Sequence, residues 1–147
     1  MAQVAFRRLS APDSDKVEIL VDGMPLIDLV REAETESAAQ EGHPNLAGKY
    51  AGLPWETVAT NLLLGEATGV WSVLEGNQSP GRIPLLLCEC GEPGCWPLIA
   101  SIDVTPDSVT GRNFRQPYRP KWDHSKLGPF SFDRAQYVEA LEEARRG

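Results

Sequence analysis

Several things are scarce in this chain, and each scarcity removes a class of function. The apolar runs are short: Leu62 to Leu64 and Leu85 to Leu87 are closed off by polar neighbours, far below the roughly 18 apolar residues that a membrane-spanning helix needs. Cysteine occurs three times, as Cys88, Cys90 and Cys95, and an odd number packed into one short segment does not read as the framework of a disulfide-stapled secreted fold. The N-terminal segment Met1 to Arg8 places its charges after its apolar residues and has no long apolar stretch, so export by a signal peptide is not expected. A reducing, cytoplasmic setting fits these features. Basic residues are outnumbered, 14 Lys and Arg against 21 Asp and Glu, for a formal net charge of −7. Nucleic-acid binding works by exchanging counterions for clustered Lys and Arg, so nucleic acid is not the expected partner and a basic protein is the better electrostatic match. Histidine is limited to His43 and His124. No phosphate-cradling glycine loop, no HExxH and no GxSxG is present.

What remains is enough for a core. A hydrophobic fraction of 41% over 147 residues suits one domain spanning 1–147. Val4 to Leu9 and Lys16 to Val21 read as a hairpin around a Pro-, Asp- and Ser-rich turn. After Asp22-Gly23, the three- and four-residue spacing of Leu26, Leu29, Val30, Ala33 and Ser37 predicts a helix that Gly42 can end, with Asp28, Glu32, Glu34 and Glu36 on the opposite, acidic face. A short second helix is expected after Pro54, with Trp55, Val58, Ala59, Leu62 and Leu63 as its apolar stripe. Val70 to Leu74, Ile83 to Cys90, Trp96 to Val104 and Ser108 to Arg115 read as extended segments joined by short connections, an antiparallel meander. Residues 116–129 predict an irregular flap held by aromatic anchors. Asp133 can cap a last helix in which Gln136 reaches back and Tyr137, Val138, Leu141 and Ala144 face the sheet. The expected class is α+β: a mainly antiparallel sheet, made of an N-terminal hairpin and a C-terminal meander, packed with two or three helices.

Chemistry is concentrated in the turn from Cys88 to Cys95. Cys88 and Cys90 are two apart on an apparent strand and point to one face, while the glycine- and proline-containing turn that follows can fold Cys95 back toward them. Three readings follow. The sulfurs are small hydrophobes of the sheet core; or they are three ligands of a structural zinc whose fourth ligand is His124, His43 or a carboxylate; or Cys90 and Cys95 are a redox or nucleophilic pair served by His124, although Glu89 and Glu92 would raise a thiol pKa. His43, ahead of Pro44, has the setting of a turn residue.

The one dense basic stretch holds Arg112, Arg115, Arg119 and Lys121 among Phe114, Tyr118 and Trp122. Arg115, Arg119 and Trp122 are candidates for gripping a carboxylate, a phosphate or a partner protein. The alternative is that these side chains stack on one another and pin the flap.

The run Cys88-x-Cys90-Gly91-Glu92-x-Gly94-Cys95-Trp96-Pro97-Leu98, with Phe114-Arg115-Gln116-Pro117-x-Arg119-Pro120-x-Trp122 and Leu127-Gly128-Pro129-Phe130-x-Phe132-x-x-x-Gln136-Tyr137, resembles a family of small bacterial proteins with no assigned activity. The resemblance covers roughly the C-terminal half, with a weaker echo in Asp22-Gly23 and Ala47-Gly48-x-Tyr50, and implies a fold grouping without a function. In the family pattern a histidine stands at the position of Tyr118 and a tryptophan at that of Gly111; with Tyr118 here, His124 would have to complete any ligand set. The functional expectation is a non-catalytic protein-interaction module, an acidic binder of the immunity or antitoxin kind whose cysteine turn is structural. The alternatives are a small thiol- or zinc-dependent enzyme using Cys90 or Cys95 with His124, and a structural zinc module.

Overall fold

The computed structural model describes residues 1–9, 16–59, 62–65, 82–89 and 96–146. β1 (Val4–Arg8) and β2 (Lys16–Val21) pair antiparallel, with Val4 opposite Val21 and Arg8 opposite Val17. Their alternation decides the face: Val4, Phe6, Val17, Ile19 and Val21 are buried and the residues between them are not. Asp22 and Gly23 both have positive φ, 51° and 82°, the backbone of a tight hairpin turn that brings β3 (Met24–Pro25) back onto β2. β4 (Leu53–Pro54) pairs with the other end of β2, which completes a four-stranded antiparallel sheet. Gly52 makes that approach feasible, since a Cβ there would stand 2.3 Å from the Val17 carbonyl oxygen.

α1 (Leu26–Gln40) leaves β3 directly and ends before Gly42, which has φ 80°. The second helix is shorter than its apolar stripe suggests: α2 covers Trp55–Val58, Leu62–Leu64 form a 3-10 turn, and residues 60 and 61 lie outside the described residues.

The second sheet is an antiparallel meander, β5 (Arg82–Leu86), β6 (Leu98–Val104), β7 (Ser108–Arg115) and β8 (Phe130–Asp133), in that order. β8 is an addition to the expected set, and the expected strand at 70–74 lies outside the described residues. α3 (Arg134–Arg146) follows β8 with Asp133 as its cap, its Oδ2 accepting the Gln136 backbone N–H at 3.1 Å. The Gln136 side chain does not reach back to the cap. Its amide instead accepts from the Val4 N–H at 3.1 Å and donates to the Val4 carbonyl at 2.7 Å, so it fastens α3 to β1.

The sheets are stitched at two places, by the Ala2 N–H on the Ser131 carbonyl at 2.9 Å and by paired bonds between Ala51 and Leu87. One apolar cluster draws on both sheets, α1 and α3, with Tyr137 at a junction: its ring meets Phe6 edge-on at 5.4 Å and its hydroxyl donates to the Leu63 carbonyl at 2.6 Å. Among the described residues no helix is long and apolar enough to cross a membrane.

Candidate functional site

Leu26, Val30, Glu34 and Ala38 are buried at a spacing of four along α1. Glu34 therefore sits on the core stripe. It is 0% exposed, where the sequence reading placed it on the solvated acidic face with Asp28, Glu32 and Glu36. A carboxylate is left out of water only where its oxygens are supplied with donors. Glu34 has three. Oε1 accepts the Gly48 backbone N–H at 2.9 Å, and Oε2 accepts the Tyr50 hydroxyl at 2.6 Å and the Nε2–H of His124 at 2.8 Å. The tautomer of His124 follows from the acceptor, since a carboxylate offers only lone pairs.

Each donor is delivered by a local feature of the chain. Gly48 follows the 3-10 turn Pro44–Leu46 and has φ 66°; a Cβ there would lie 2.4 Å from Arg31 Cβ, so only glycine lets this backbone lie against α1. Tyr50 comes two residues later. Its phenol is pushed well above its ordinary value, first by burial and then by the charge and hydrogen bond of Glu34. Gln116, also 0% exposed, supports Tyr50 from the far side: Nε2 donates to the Tyr50 oxygen at 3.3 Å and to the Pro97 carbonyl at 3.1 Å, and Oε1 accepts the Tyr118 N–H at 3.0 Å.

His124 comes from the flap at 116–129. A run of turns, Arg119 N–H to Gln116 carbonyl, Trp122 N–H to Arg119 carbonyl and Leu127 N–H to His124 carbonyl, winds the flap so that successive side chains meet the end of α1. Trp122 is buried and donates its Nε1–H to Glu41; Arg119 pairs with the same carboxylate at 3.3 Å; the Asp123 N–H donates to Ser37 Oγ at 3.1 Å. Trp96 is the aromatic centre, stacked on Tyr118 with ring centroids 6.4 Å apart, edge-on to Trp122 at 6.0 Å and under the Arg119 guanidinium at 5.2 Å.

The sequence candidates are thus divided. Arg119 and Trp122 belong to the stack that pins the flap. Arg115 is exposed on β7. Cys88 is a half-buried, unbridged thiol just after Leu87, while Cys90 and Cys95 lie outside the described residues. His124, the expected fourth zinc ligand or thiol base, has Nε2 committed to Glu34. Among the described residues no group of three or more His, Cys, Asp or Glu is placed to hold a metal. His43 is exposed at the start of the 3-10 turn. Sequence reasoning gave no site role to Glu34, Gly48, Tyr50 or Gln116. The four-residue spacing of Glu34 from Val30 and Ala38 was a legible signal; Gln116 was marked only by its place in the run Phe114-Arg115-Gln116-Pro117 that carries the resemblance.

Two open grooves flank α1. One, of about 420 Å³, runs between Ser37 and Glu41 on the helix and Tyr118 to Trp122 on the flap. The other, of about 550 Å³, has Leu29, Ala33, Leu127 and Pro129 among its lining residues, with Glu32, Glu36 and Lys126. No protein-family model, curated protein or solved structure matches the chain.

Proposed function

We propose that the chain is a non-catalytic protein-interaction module, one domain over 1–147, that binds a basic partner through the α1 side of the molecule. The observation that carries this reading is the groove along α1, where apolar Leu29, Ala33, Leu127 and Pro129 lie beside the carboxylates of Glu32 and Glu36, which outnumber the one cation of the lining, Lys126. An apolar floor with an acidic rim suits a segment that offers both apolar and basic side chains, and the net charge of −7 steers such an encounter. The buried carboxylate and imidazole support it too. Both Glu34 oxygens and Nε2 of His124 are taken up by protein groups, so they hold the flap against α1.

In this reading the cysteine turn is structural and its thiols stay reduced in the cytoplasm. The parallel is with acidic immunity and antitoxin proteins, which neutralise basic proteins by covering them.

The test is partner capture from the native host with the native chain and with an E32K/E36K double variant, both residues being exposed. A stoichiometric basic protein retained by the native chain and released by the variant is the expected result. Absence of any stoichiometric partner on the native chain contradicts the reading.

A further inference from the structure

The outer face of the second sheet carries a pair of arginines that the α1 side does not use. Directly opposed residues of an antiparallel pair share a face. Leu98, Ala100 and Ile102 of β6 point into the core, so Ile99 and Ser101 point the other way, Ile99 still fully buried and Ser101 half-buried. Arg82 of β5 stands opposite Ser101, Arg112 of β7 stands opposite Ser101 from the other side, and Arg115 stands opposite Ile99.

Arg112 and Arg115 are three apart and would fall on opposite faces of a regular strand. The register of β6 against β7 shifts between Ile99 and Ser101, two steps on β6 against three on β7, and Asn113 lies in that stretch with φ 55°. This bulge turns both arginines to the outer face while Phe114 stays in the core.

Of these three, Arg112 is neutralised by an ion pair with Asp103. Arg82 and Arg115 are in no ion pair among the described residues. Arg82 is the more unusual, because its Nε and Nη2 atoms are buried and, among the described residues, have no hydrogen-bond partner. Burial, then the positive charge of Arg115, pushes the Arg82 guanidinium below its ordinary value. Desolvated N–H donors beside a second cation are costly unless an acceptor of opposite charge is supplied.

We propose that Arg82 and Arg115, with the Ser101 hydroxyl beside them, form a binding site for an oxyanion group, a phosphate or a carboxylate, on the outer face of the β5 to β7 sheet. Guanidinium N–H groups match both anions, through charge-assisted bonds that a lysine would not reproduce in the same geometry. The site is separate from the α1 groove and stands or falls without the partner reading.

The experiment is thermal melting of the full chain against inorganic phosphate and, in a second arm, acetate, at constant ionic strength with chloride as the balance. Native protein, R82Q, R115Q and R7Q are compared; Arg7 lies on the first sheet, and R115Q, at an exposed position, reports on the pair even where R82Q fails to fold. A saturable rise in Tm is expected in at least one arm, with half-saturation displaced about tenfold in R82Q or R115Q and unmoved in R7Q. The arm that saturates identifies the anion. A rise in neither arm, or one equally strong in R82Q and R115Q as in the native chain, overturns the proposal.

Discussion

The Glu34 carboxylate on α1 accepts the His124 Nε2–H at 2.8 Å across 90 residues of sequence, with the His124 side chain 3% and the Glu34 side chain 0% exposed. That bond joins a helix near the start of the chain to a flap near its end. Because Tyr50 and Gly48 converge on the same carboxylate, one buried anion sets the position of three segments at once.

Removing that anion strands its donors. Glu34→Ala leaves the Gly48 N–H, the Tyr50 hydroxyl and the His124 Nε2–H without their acceptor, and each unsatisfied buried donor costs about 1–3 kcal/mol. A loss of at least about 3 kcal/mol is expected in urea unfolding, with Glu34→Gln losing less because its amide oxygen still accepts. A loss below about 1 kcal/mol for the alanine variant would show that water replaces the carboxylate and that the network is not closed.

Alkaline pH should weaken the fold through Tyr50. Its phenol is raised in the native state by burial and by Glu34, whereas in the unfolded chain it titrates near its ordinary value of about 10. The native state therefore holds the proton after the unfolded state has released it, so the contribution is complete below pH ~10 and declines as pH rises above it. Tyr137, raised by burial, adds in the same direction. In Tyr50→Phe the Tyr50 share is absent: the stability difference between native and variant should shrink by about 1.4 kcal/mol per pH unit above 10 and stay flat from pH 7 to 9.

The flap should loosen ahead of the rest when its anchor is cut. Trp122 fills the space between Trp96 and the end of α1 and bonds Glu41, so Trp122→Ala is expected to cost about 3–5 kcal/mol. Limited proteolysis of the variant under native conditions should cut first within 116–127, as the exposed Lys121 and Lys126 become accessible to trypsin. First cuts outside that segment would mean that the flap is held by something other than this stack.

Gln136→Ala removes both bonds to the backbone of Val4 and should cost about 1–2 kcal/mol. The loss should be local in hydrogen exchange: faster exchange at the Val4 amide, with the Phe6 and Ile19 amides unchanged. Uniform acceleration across β1 and β2 would place the clamp in the global unfolding step instead.

Local chemistry explains which features the sequence disclosed. The alternation of Val4, Phe6, Val17, Ile19 and Val21 announced the first hairpin, and β7 runs from Ser108 to Arg115 as expected. Asp133 caps α3, and Tyr137, Leu141 and Ala144 face inward. Periodicity counts hydrophobicity, so it assigned Glu34 to the solvent although the residue continues the stripe of Val30 and Ala38. Its burial depends on donors 14, 16 and 90 residues away, which no local window contains. Gln136 had the spacing of a capping box, but an edge strand offered its amide two partners where the cap offered one. β3 and β4, two residues each, exist only because β2 leaves the edge away from β1 free, and Arg82 and Arg115 share a face only through the β7 bulge.

The measurement that bears most directly on the lock between α1 and the flap is a double-mutant cycle on Glu34→Ala and His124→Ala, read by urea unfolding. The two residues share one buried, charge-assisted bond, so a coupling of about 1.5–3 kcal/mol is expected, with the double variant less destabilised than the sum of the singles. Additivity within about 0.5 kcal/mol would contradict it, and the flap would then have to be held by its contacts with Glu41, Ser37 and Trp96.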